Sequence, residues 1–387
     1  MEREPVLRSL TIQGFRGIAN ERIELDNPTF LVGQNGAGKS GIVDALAFLG
    51  DAMSPPLQAA VSSRGGLATV LHQTPGASYP RDFGLRVDFA SSSPDGQRGW
   101  YAFSLRAQSD RQFFVERETC RMVGAGFDRQ GGDTLPIRGL PIRVNSDALM
   151  LPAASGLDPF ADVVDLLSRL RHYMIDPNQL RQRRAPDHGQ TLYSDGSNAA
   201  SVLQEIRTSA PDDFQTICEL LTAALPYEIE VRSVPYGSSQ LGLEVRQKVG
   251  QDEITLEAFS ASDGTLRLLG LLLAVFQPQT PSVLVIEEPE ASVHPEALGV
   301  VLDLLQLAAR RTQVIVTTHS PELLDAKWIE DRHLRVVTWE DGSTRVQRLS
   351  EGSKRVLQAH LAGVGELLRS GSLDAVSEPP ALSLFAG

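Results

Sequence analysis

Cysteine is scarce in this sequence, and its scarcity limits the kinds of site that the chain can build. Only Cys120 and Cys218 occur among 387 residues. Two cysteines cannot form a disulfide framework or a four-cysteine zinc site. We therefore expect both side chains to be buried as small hydrophobic groups.

Long apolar runs are also absent from the sequence. The best candidate for a membrane helix, residues 266–276, is about half the length of the roughly 20 residues that cross a bilayer. Residues 1–5 have no basic stretch followed by an apolar one, so they do not predict export. These features predict a cytoplasmic protein with no membrane partner.

Positive charge is in short supply as well. The 36 basic and 48 acidic residues leave a net charge of −12, which argues against nonspecific nucleic-acid binding by the surface as a whole. Only four of the basic residues are lysines: Lys39, Lys248, Lys327 and Lys354. A motif that requires lysine must therefore use one of these four positions.

The apolar content of 42% is that of a globular protein with a sizeable core. The sequence has no internal repeat and no sustained heptad pattern, which excludes a solenoid and a long coiled coil. No linker rich in Pro, Ser and Gly separates two autonomous units. We therefore predict one composite domain over residues 1–387, whose early and late segments meet.

Apolar patterning predicts the order of helices and strands. From residue 259 onward, short apolar strands alternate with helices, which predicts a parallel sheet covered on both faces. The predicted strands are 6–13, 21–25, 29–32, 83–89, 100–106, 112–118, 227–234, 240–247, 283–286 and 313–317. The predicted helices are 39–49, 158–173, 197–209, 211–224, 264–275 and 295–310. Residues 51–80 are predicted to form a long surface excursion, and the glycine-rich residues 124–132 a flexible loop.

A phosphate loop is predicted between the strand 29–32 and the helix that follows. It matches G-x-x-x-x-G-K-[ST] without a mismatch and consists of Gly33, Gln34, Asn35, Gly36, Ala37, Gly38, Lys39 and Ser40. Glycines let backbone N–H groups turn inward around phosphate oxygens, and the helix N-terminus adds a favourable dipole. We expect Lys39 to reach the β- and γ-phosphates and the Ser40 hydroxyl to ligate Mg²⁺. The alternative is a glycine-rich turn before an ordinary helix.

Paired carboxylates follow the apolar strand 283–286. A strand buried on both faces can present acids only at its carboxyl end, where open α/β sheets place their ligands. We expect Glu287 to hold Mg²⁺ through water, and Glu288 to orient or deprotonate the attacking water. The alternative is a solvated acidic turn.

A histidine, His319, follows the next apolar strand, 313–317. At this end of the strand it could hydrogen-bond the γ-phosphate and the attacking water. A histidine alone is more often a satisfied structural residue, but its position after the acidic strand favours the catalytic interpretation.

Together these motifs resemble the ATP-binding-cassette (ABC) ATPase heads of the RecF, SMC and OLD group. The opening strand with its Phe-Arg pair, residues 10–18, is similar to the opening of those heads. Residues 259–265 lie where the family has its signature sequence. The resemblance implies an α/β P-loop NTPase fold: an ABC-ATPase head with an antiparallel β lobe and a parallel-sheet core flanked by helices. It assigns residues 1–50 and about 190–370 to the nucleotide-binding core, and about 51–190 to an insert that forms the antiparallel and helical lobe.

The resemblance also implies a mechanism, with ATP and Mg²⁺ as cofactors and a homodimer that binds ATP between its subunits. Lys39, Glu288 and His319 would be catalytic. Arg16 and Gly41 would join residues 33–40 in binding nucleotide, and Ser40 and Glu287 would hold the metal.

The signature residues of one subunit, Ser262, Asp263 and Gly264, would cap the γ-phosphate held by the other. A hydroxyl, a bare backbone N–H and a helix dipole suit that role, although a plain helix cap is the alternative for Ser262.

The sequence departs from the family in several places. Glu287 replaces the usual Asp, and the signature reads Ser-Asp-Gly where Ser-Gly-Gly is commonest. The glutamine that senses Mg²⁺ would be Gln179, Gln182 or Gln190. The stretch after His319 is shorter than the nuclease domain of OLD-type proteins, so we expect any nuclease to come from a partner subunit.

The resemblance predicts an ATPase that dimerises on ATP and gates DNA or a partner effector, in DNA repair or in antiviral (phage) defence. The alternative is a clamp or scaffold locked by nucleotide, with slow turnover. The ATPase subunit of a membrane transporter is a third interpretation, and the Phe-Arg opening, the acidic strand end and the long insert fit it poorly. A direct nucleic-acid contact would use the basic residues Arg169, Arg171, His172, Arg181, Arg183 and Arg184, for which an ion-paired surface is the alternative.

Overall fold

The structure is a computed structural model, and it describes most of the chain. The described residues are 6–73, 81–90, 98–109, 112–131, 135–137, 140–158, 160–249, 252–359, 362–370, 372–377 and 383–386. Within them, no helix is both long and apolar enough to cross a membrane.

The strands are as follows in chain order. They are β1 (Leu7–Phe15), β2 (Ile18–Glu24), β3 (Thr29–Val32), β4 (Asp82–Ala90), β5 (Arg98–Ala107), β6 (Phe113–Met122), β7 (Ala125–Gln130), β8 (Leu135–Ile137), β9 (Leu140–Ile142), β10 (Leu170–Tyr173), β11 (Glu228–Tyr236), β12 (Gln240–Val249), β13 (Asp252–Glu257), β14 (Val283–Glu287), β15 (Gln313–Thr318), β16 (Leu334–Glu340), β17 (Ser343–Leu349) and β18 (Ala375–Ser377).

The α-helices are interspersed among these strands. They are α1 (Lys39–Ala52), α2 (Leu57–Ser62), α3 (Leu67–Val70), α4 (Met150–Ala153), α5 (Phe160–Ser168), α6 (Pro177–Leu180), α7 (Ala199–Ser209), α8 (Pro211–Ala223), α9 (Asp263–Phe276), α10 (Leu298–Arg311), α11 (Pro321–Leu324), α12 (Glu351–Gln358) and α13 (Val364–Arg369).

The chain forms two compact units. The phosphate-loop unit consists of Glu4–Arg171, Glu330–Gly363 and Leu367–Gly387. The acidic-strand unit contains His172–Ile329 and Val364–Glu366. Each unit is described separately below.

The phosphate-loop unit contains a six-stranded sheet in the order β2-β1-β4-β5-β6-β7, in which every neighbouring pair is antiparallel. Phe15 of β1, Phe83 of β4 and Phe103 of β5 pack against Phe48 of α1, with ring centroids 5.3–6.2 Å apart. Edge-to-face aromatic packing of this kind adds to the free energy gained by burying the rings. The cluster thereby fixes α1, whose first residue is Lys39, against the sheet.

A second set of strands in this unit borders the phosphate loop. Strand β16 runs parallel to β3, pairing Val336 with Val32. Strand β17 is antiparallel to β16, and β18 is antiparallel to β17. Strands β16, β17 and β18 therefore follow β3 in that order in this sheet.

The acidic-strand unit contains the parallel pair β14 and β15, in which Val285 lies opposite Ile315. Their apolar residues are buried, as expected for strands covered on both faces. Helix α9 is buried along nearly all of its length, since its sequence is apolar on every side. A three-stranded antiparallel sheet, β11-β12-β13, completes the unit with α7 and α8.

The predicted fold class is confirmed, but three local predictions are wrong. The predicted helix 158–173 ends at Ser168, and Leu170–Tyr173 is a strand, because a short apolar run fits either structure. The predicted loop 124–132 contains β7, since Gly124 and Gly131 turn the chain at its ends with positive φ. The predicted excursion 51–80 contains α2 and α3 in its described part, with residues 74–80 outside it.

Candidate functional site

The phosphate loop leaves the buried strand β3 and enters α1 as predicted. Gly36 and Gly38 have φ angles of 81° and 102°, a region that only glycine adopts freely. A side chain at Gly33 would overlap the Val337 carbonyl, and one at Gly38 would overlap Thr344. The glycines of the pattern are therefore required by the fold of the loop itself.

Lys39 is held inside the loop. Its side chain is buried, and Nζ donates to the carbonyl oxygens of Gly33 at 2.7 Å and Gln34 at 3.0 Å. Ser40, by contrast, is exposed at the first turn of α1, where the helix dipole favours anions. The loop thus brings an ammonium group and a hydroxyl to the N-terminal end of α1.

Arg16 is fixed beside this helix in a left-handed conformation, with φ 50°. Its backbone N–H donates to Val70, and its carbonyl oxygen lies 2.7 Å from His72 Nδ1. Its guanidinium donates to Asp44 of α1 at 2.5 Å. Arg16 therefore lies near Gly41, with its Cβ 3.9 Å from the position of a Cβ at Gly41.

In the acidic-strand unit, Glu287 ends β14 and contacts a histidine. His172 Nε2 lies 2.7 Å from Glu287 Oε1, and both side chains are mostly buried. Glu287 is one methylene longer than the usual Asp, and the imidazole fixes the position of this longer carboxylate. Carboxylates that ligate metal ions are usually hydrogen-bonded by a neighbouring group in this way.

Glu288 and His319 are brought together at the ends of β14 and β15. His319 Nδ1 lies 3.4 Å from Glu288 Oε1, and both side chains are partly exposed. Glu288 has a φ of 44°, a strained value for a residue with a side chain. The neighbouring Glu290 accepts from Thr318 Oγ1 at 2.6 Å and from the His319 N–H at 3.3 Å. These contacts fix the turn that carries Glu288.

Arg267 links α9 to this turn. The buried guanidinium donates to the carbonyl oxygens of Ile175 at 2.6 Å, Glu288 at 2.8 Å and Glu287 at 3.2 Å. Burial lowers the pKa of Arg267, and the nearby carboxylates of Glu290 and Glu288 act in the opposite direction. The position of the acidic turn therefore depends on a residue of the helix that follows the predicted signature.

The predicted signature lies at the N-terminus of α9. Ser262 Oγ accepts from the Thr265 N–H at 3.1 Å, so Ser262 caps the helix. Asp263 is ion-paired with Arg181 at 2.6 Å, and a Cβ at Gly264 would lie 2.7 Å from the Ser292 carbonyl oxygen. The capping alternative describes what Ser262 does in this unit, and its role toward a second subunit stays a prediction.

The basic residues predicted as a nucleic-acid footprint all have partners within the chain. Arg169 pairs with Asp165, Arg181 with Asp263 and Arg183 with Glu257, and Arg184 donates to Gln179. Arg171 donates to the carbonyl oxygens of Ser168 and Leu170, and His172 contacts Glu287. Three of the five arginines are therefore ion-paired, as in the alternative that the sequence left open, and a direct contact with nucleic acid stays a prediction.

Two contributors to the acidic turn, His172 and Arg267, were not identified from the sequence in these roles. His172 lies within the short strand β10, which the sequence pattern could not distinguish from a helix, so its contact with Glu287 was not predicted. Arg267 is the only basic residue of a mostly apolar helix, and a buried charge of this kind must find buried partners. The sequence alone therefore indicates that Arg267 has partners inside the protein.

The donor groups suit Mg²⁺. Within the described residues, no group of three or more His, Cys, Asp or Glu side chains could hold a metal by itself. Ser40 and Glu287 offer hydroxyl and carboxylate oxygens, and Mg²⁺ is usually held by one or two such groups together with substrate phosphates and water. Each of these two oxygen donors, taken by itself, is therefore of a kind that Mg²⁺ accepts.

Comparison with known proteins agrees with this reading. Residues 29–325 match the family described as "AAA domain, putative AbiEii toxin, Type IV TA system". Among characterised proteins, no sequence matches.

Solved structures share the fold at low sequence identity. An SMC head bound to the C-terminal winged-helix domain of ScpA has a TM-score of 0.59 and 16% identity, and covers 92% of this chain and 100% of its own. An SMC head with an extended coiled coil, bound to the C-terminal domain of ScpA derived from Pyrococcus furiosus, has a TM-score of 0.52 and 14% identity, with the same coverage. Since the family match spans most of the chain, this protein belongs to that AAA domain family, and its fold is that of a P-loop ATPase head of the SMC type.

Proposed function

We propose that this protein is a Mg²⁺-dependent ATPase whose two copies dimerise around ATP. The observation that carries the proposal is the complete phosphate loop, with Lys39 buried and bonded to the Gly33 and Gln34 carbonyl oxygens. An ammonium group held at the N-terminus of a helix is suited to bind a triphosphate, because the ammonium group and the helix N-terminus both offer positive charge to the phosphate oxygens.

Each site residue has a proposed role. The N–H groups of residues 33–41 and Lys39 bind the phosphates, and Arg16 adds positive charge beside them. Ser40, and Glu287 through water, would hold Mg²⁺, which would supply positive charge to the phosphate oxygens. Glu288 orients or deprotonates the attacking water. His319 lies 3.4 Å from Glu288 and hydrogen-bonds both the γ-phosphate and the attacking water.

The signature residues complete the site in the proposed dimer. Ser262, Asp263 and Gly264 begin α9, so the dipole of a 14-residue helix favours an anion in front of them. Phe259, three residues earlier, is 58% exposed. Aromatic side chains are enriched where protein surfaces meet, which supports an interface here.

ATP-driven dimerisation is proposed to gate DNA or a partner effector, in DNA repair or phage defence. The matched family is described by a type IV toxin–antitoxin system, and the SMC heads above are bound to ScpA. Both descriptions concern proteins that act with partners, which supports a partner effector or nuclease subunit. A slow clamp locked by nucleotide is the second candidate.

Substitution of Glu288 tests the proposal. Glu288→Gln removes the base but keeps the shape of the side chain, so we expect hydrolysis to fall at least about 100-fold. In the presence of ATP, the variant should then accumulate as a dimer, which light scattering detects. The matched control is Glu296→Gln, which changes a carboxylate that is 92% exposed and outside the proposed site.

The outcomes separate the candidates. Normal turnover by Glu288→Gln would reject the role of Glu288. A wild-type chain that forms the ATP dimer with negligible hydrolysis would favour the clamp over the ATPase. A wild-type chain that binds no ATP would reject both.

A further inference from the structure

The hairpin of β16 and β17 packs directly against the phosphate loop. The Val337 carbonyl lies where a side chain at Gly33 would be, and the Thr344 side chain lies where one at Gly38 would be. Trp339 is the cross-strand partner of Thr344. Side chains of directly opposite residues lie on the same face, with Cβ atoms about 5 Å apart. Trp339 is therefore one side chain away from a residue that touches the loop.

The indole of Trp339 is held in place on one side and open on the other. A Cβ at Gly17 would lie 2.9 Å from Trp339 Cζ3, so the ring rests on the bare backbone of the β1–β2 turn. That turn is bonded to the hairpin, since the Thr344 N–H donates to the Gly17 carbonyl oxygen at 2.8 Å. Yet 52% of Trp339 is exposed.

Exposure of this ring calls for an explanation, because tryptophan is largely buried in most proteins. A large aromatic surface fixed to a rigid hairpin, next to a triphosphate site, matches the stacking platforms that bind nucleobases. Arg16 precedes Gly17 in the β1–β2 turn, and its guanidinium bonds to α1.

We propose that Trp339 is the platform on which the base of the bound nucleotide stacks. The inference rests on the proposed nucleotide binding and adds how the base is recognised. Stacking uses the π-face that every base has, so it favours large purine rings and discriminates little between them. ATP and GTP should therefore bind with similar affinity, and pyrimidine nucleotides more weakly.

Tryptophan fluorescence reports on this contact directly. The chain has only three tryptophans, so Trp100→Phe with Trp328→Phe leaves Trp339 as the sole indole. We expect ATP to quench its emission, and inorganic tripolyphosphate, which has no base, to bind the same loop without quenching. Trp339→Ala should weaken ATP at least about fivefold and leave tripolyphosphate affinity unchanged, whereas Trp339→Phe should keep most of the ATP affinity.

The possible failures are distinguishable. Unchanged ATP affinity in Trp339→Ala, together with no quenching by ATP, would overturn the platform while leaving nucleotide binding intact. Binding of neither ATP nor tripolyphosphate by the wild-type chain would overturn the proposed function and the platform with it. Equal weakening of both ligands in Trp339→Ala, not restored by Phe, would show a purely structural role and would also overturn the platform.

Discussion

At the scale of single residues, the acidic turn is held through its backbone carbonyl groups as well as through its carboxylates. Arg267 donates to three carbonyl oxygens, and two of them belong to Glu287 and Glu288. A buried guanidinium is costly unless its hydrogen bonds are made, so the turn and the arginine require each other. The side chains of the two acids then contact histidines, Glu287 with His172 and Glu288 with His319.

Arg267→Met tests this dependence, since it keeps the apolar stem and removes the donors. The variant leaves three carbonyl groups without this donor, one of them in a buried bond and two in part-buried bonds. We expect the free energy of unfolding to fall by about 2–4 kcal/mol, as measured by urea titration. Arg310→Met is the matched control, because Arg310 is exposed on α10 and should cost less than about 0.5 kcal/mol. A loss no larger than that of the control would contradict the role of Arg267.

The sequence was sufficient to predict the position and the conformation of the phosphate loop, because these depend on a local pattern. The phosphate loop is one continuous segment, and its glycines are fixed by φ angles that the pattern already implies. His172 is different, because its contact with Glu287 joins residues 115 positions apart. A single sequence does not show which residues so far apart along the chain come into contact. The contact between His172 and Glu287 depends on the strand β10, which the sequence pattern did not predict.

At the scale of elements, the glycines of the phosphate loop differ in what confines them. Gly36 and Gly38 both have positive φ, but a side chain at Gly36 would meet nothing within 4 Å, whereas one at Gly38 would overlap Thr344 of β17. The hairpin β16–β17 therefore shapes one part of the loop and leaves another open.

Two matched substitutions separate backbone strain from this collision. Gly36→Ala should cost about 1–2 kcal/mol of stability, the usual penalty for a left-handed residue with a side chain. Gly38→Ala should cost at least twice as much and should also abolish ATP binding, because the loop must move away from Thr344. Thermal unfolding and equilibrium ATP titration measure the two effects. Equal losses for both variants would show that the hairpin does not confine the loop.

Element prediction succeeded where patterns were long and failed where they were short. The buried strands β14 and β15 were recognised from continuous apolar runs followed by polar ends. β7 was missed because its flanking glycines resemble a loop, although Phe127 and Arg129 alternate as buried residues within it. Tertiary pairing with β6 decides that segment, and its sequence alone does not.

At the scale of the whole molecule, charge is largely paired within the chain. The net charge is −12, and many arginines are ion-paired, including three of those predicted to contact nucleic acid: Arg169, Arg181 and Arg183. Exposed pairs of this kind contribute little to stability, but they neutralise a surface that would otherwise attract phosphate. Composition predicted the sign of the surface, and the structure adds which basic groups are already engaged.

The two cysteines report on the integrity of each unit, since Cys120 lies in the phosphate-loop unit and Cys218 in the acidic-strand unit. Burial raises the pKa of Cys120 to about 12. Because an unfolded thiol loses its proton near pH 8.5, the stability that Cys120 contributes is complete below that pH and is lost as the pH rises from there toward 12.

Alkylation of the native protein tests this burial. In Cys218→Ser, we expect Cys120 to react with iodoacetamide at pH 8 at least about 1000-fold more slowly than a free cysteine, because neither the thiolate nor an access path is present. Urea should raise the rate in parallel with the loss of circular dichroism. The partly buried Cys218, measured in Cys120→Ser, should react faster in the native state. A native Cys120 that reacts within about tenfold of the free amino acid would show that the six-stranded sheet does not close over it as described.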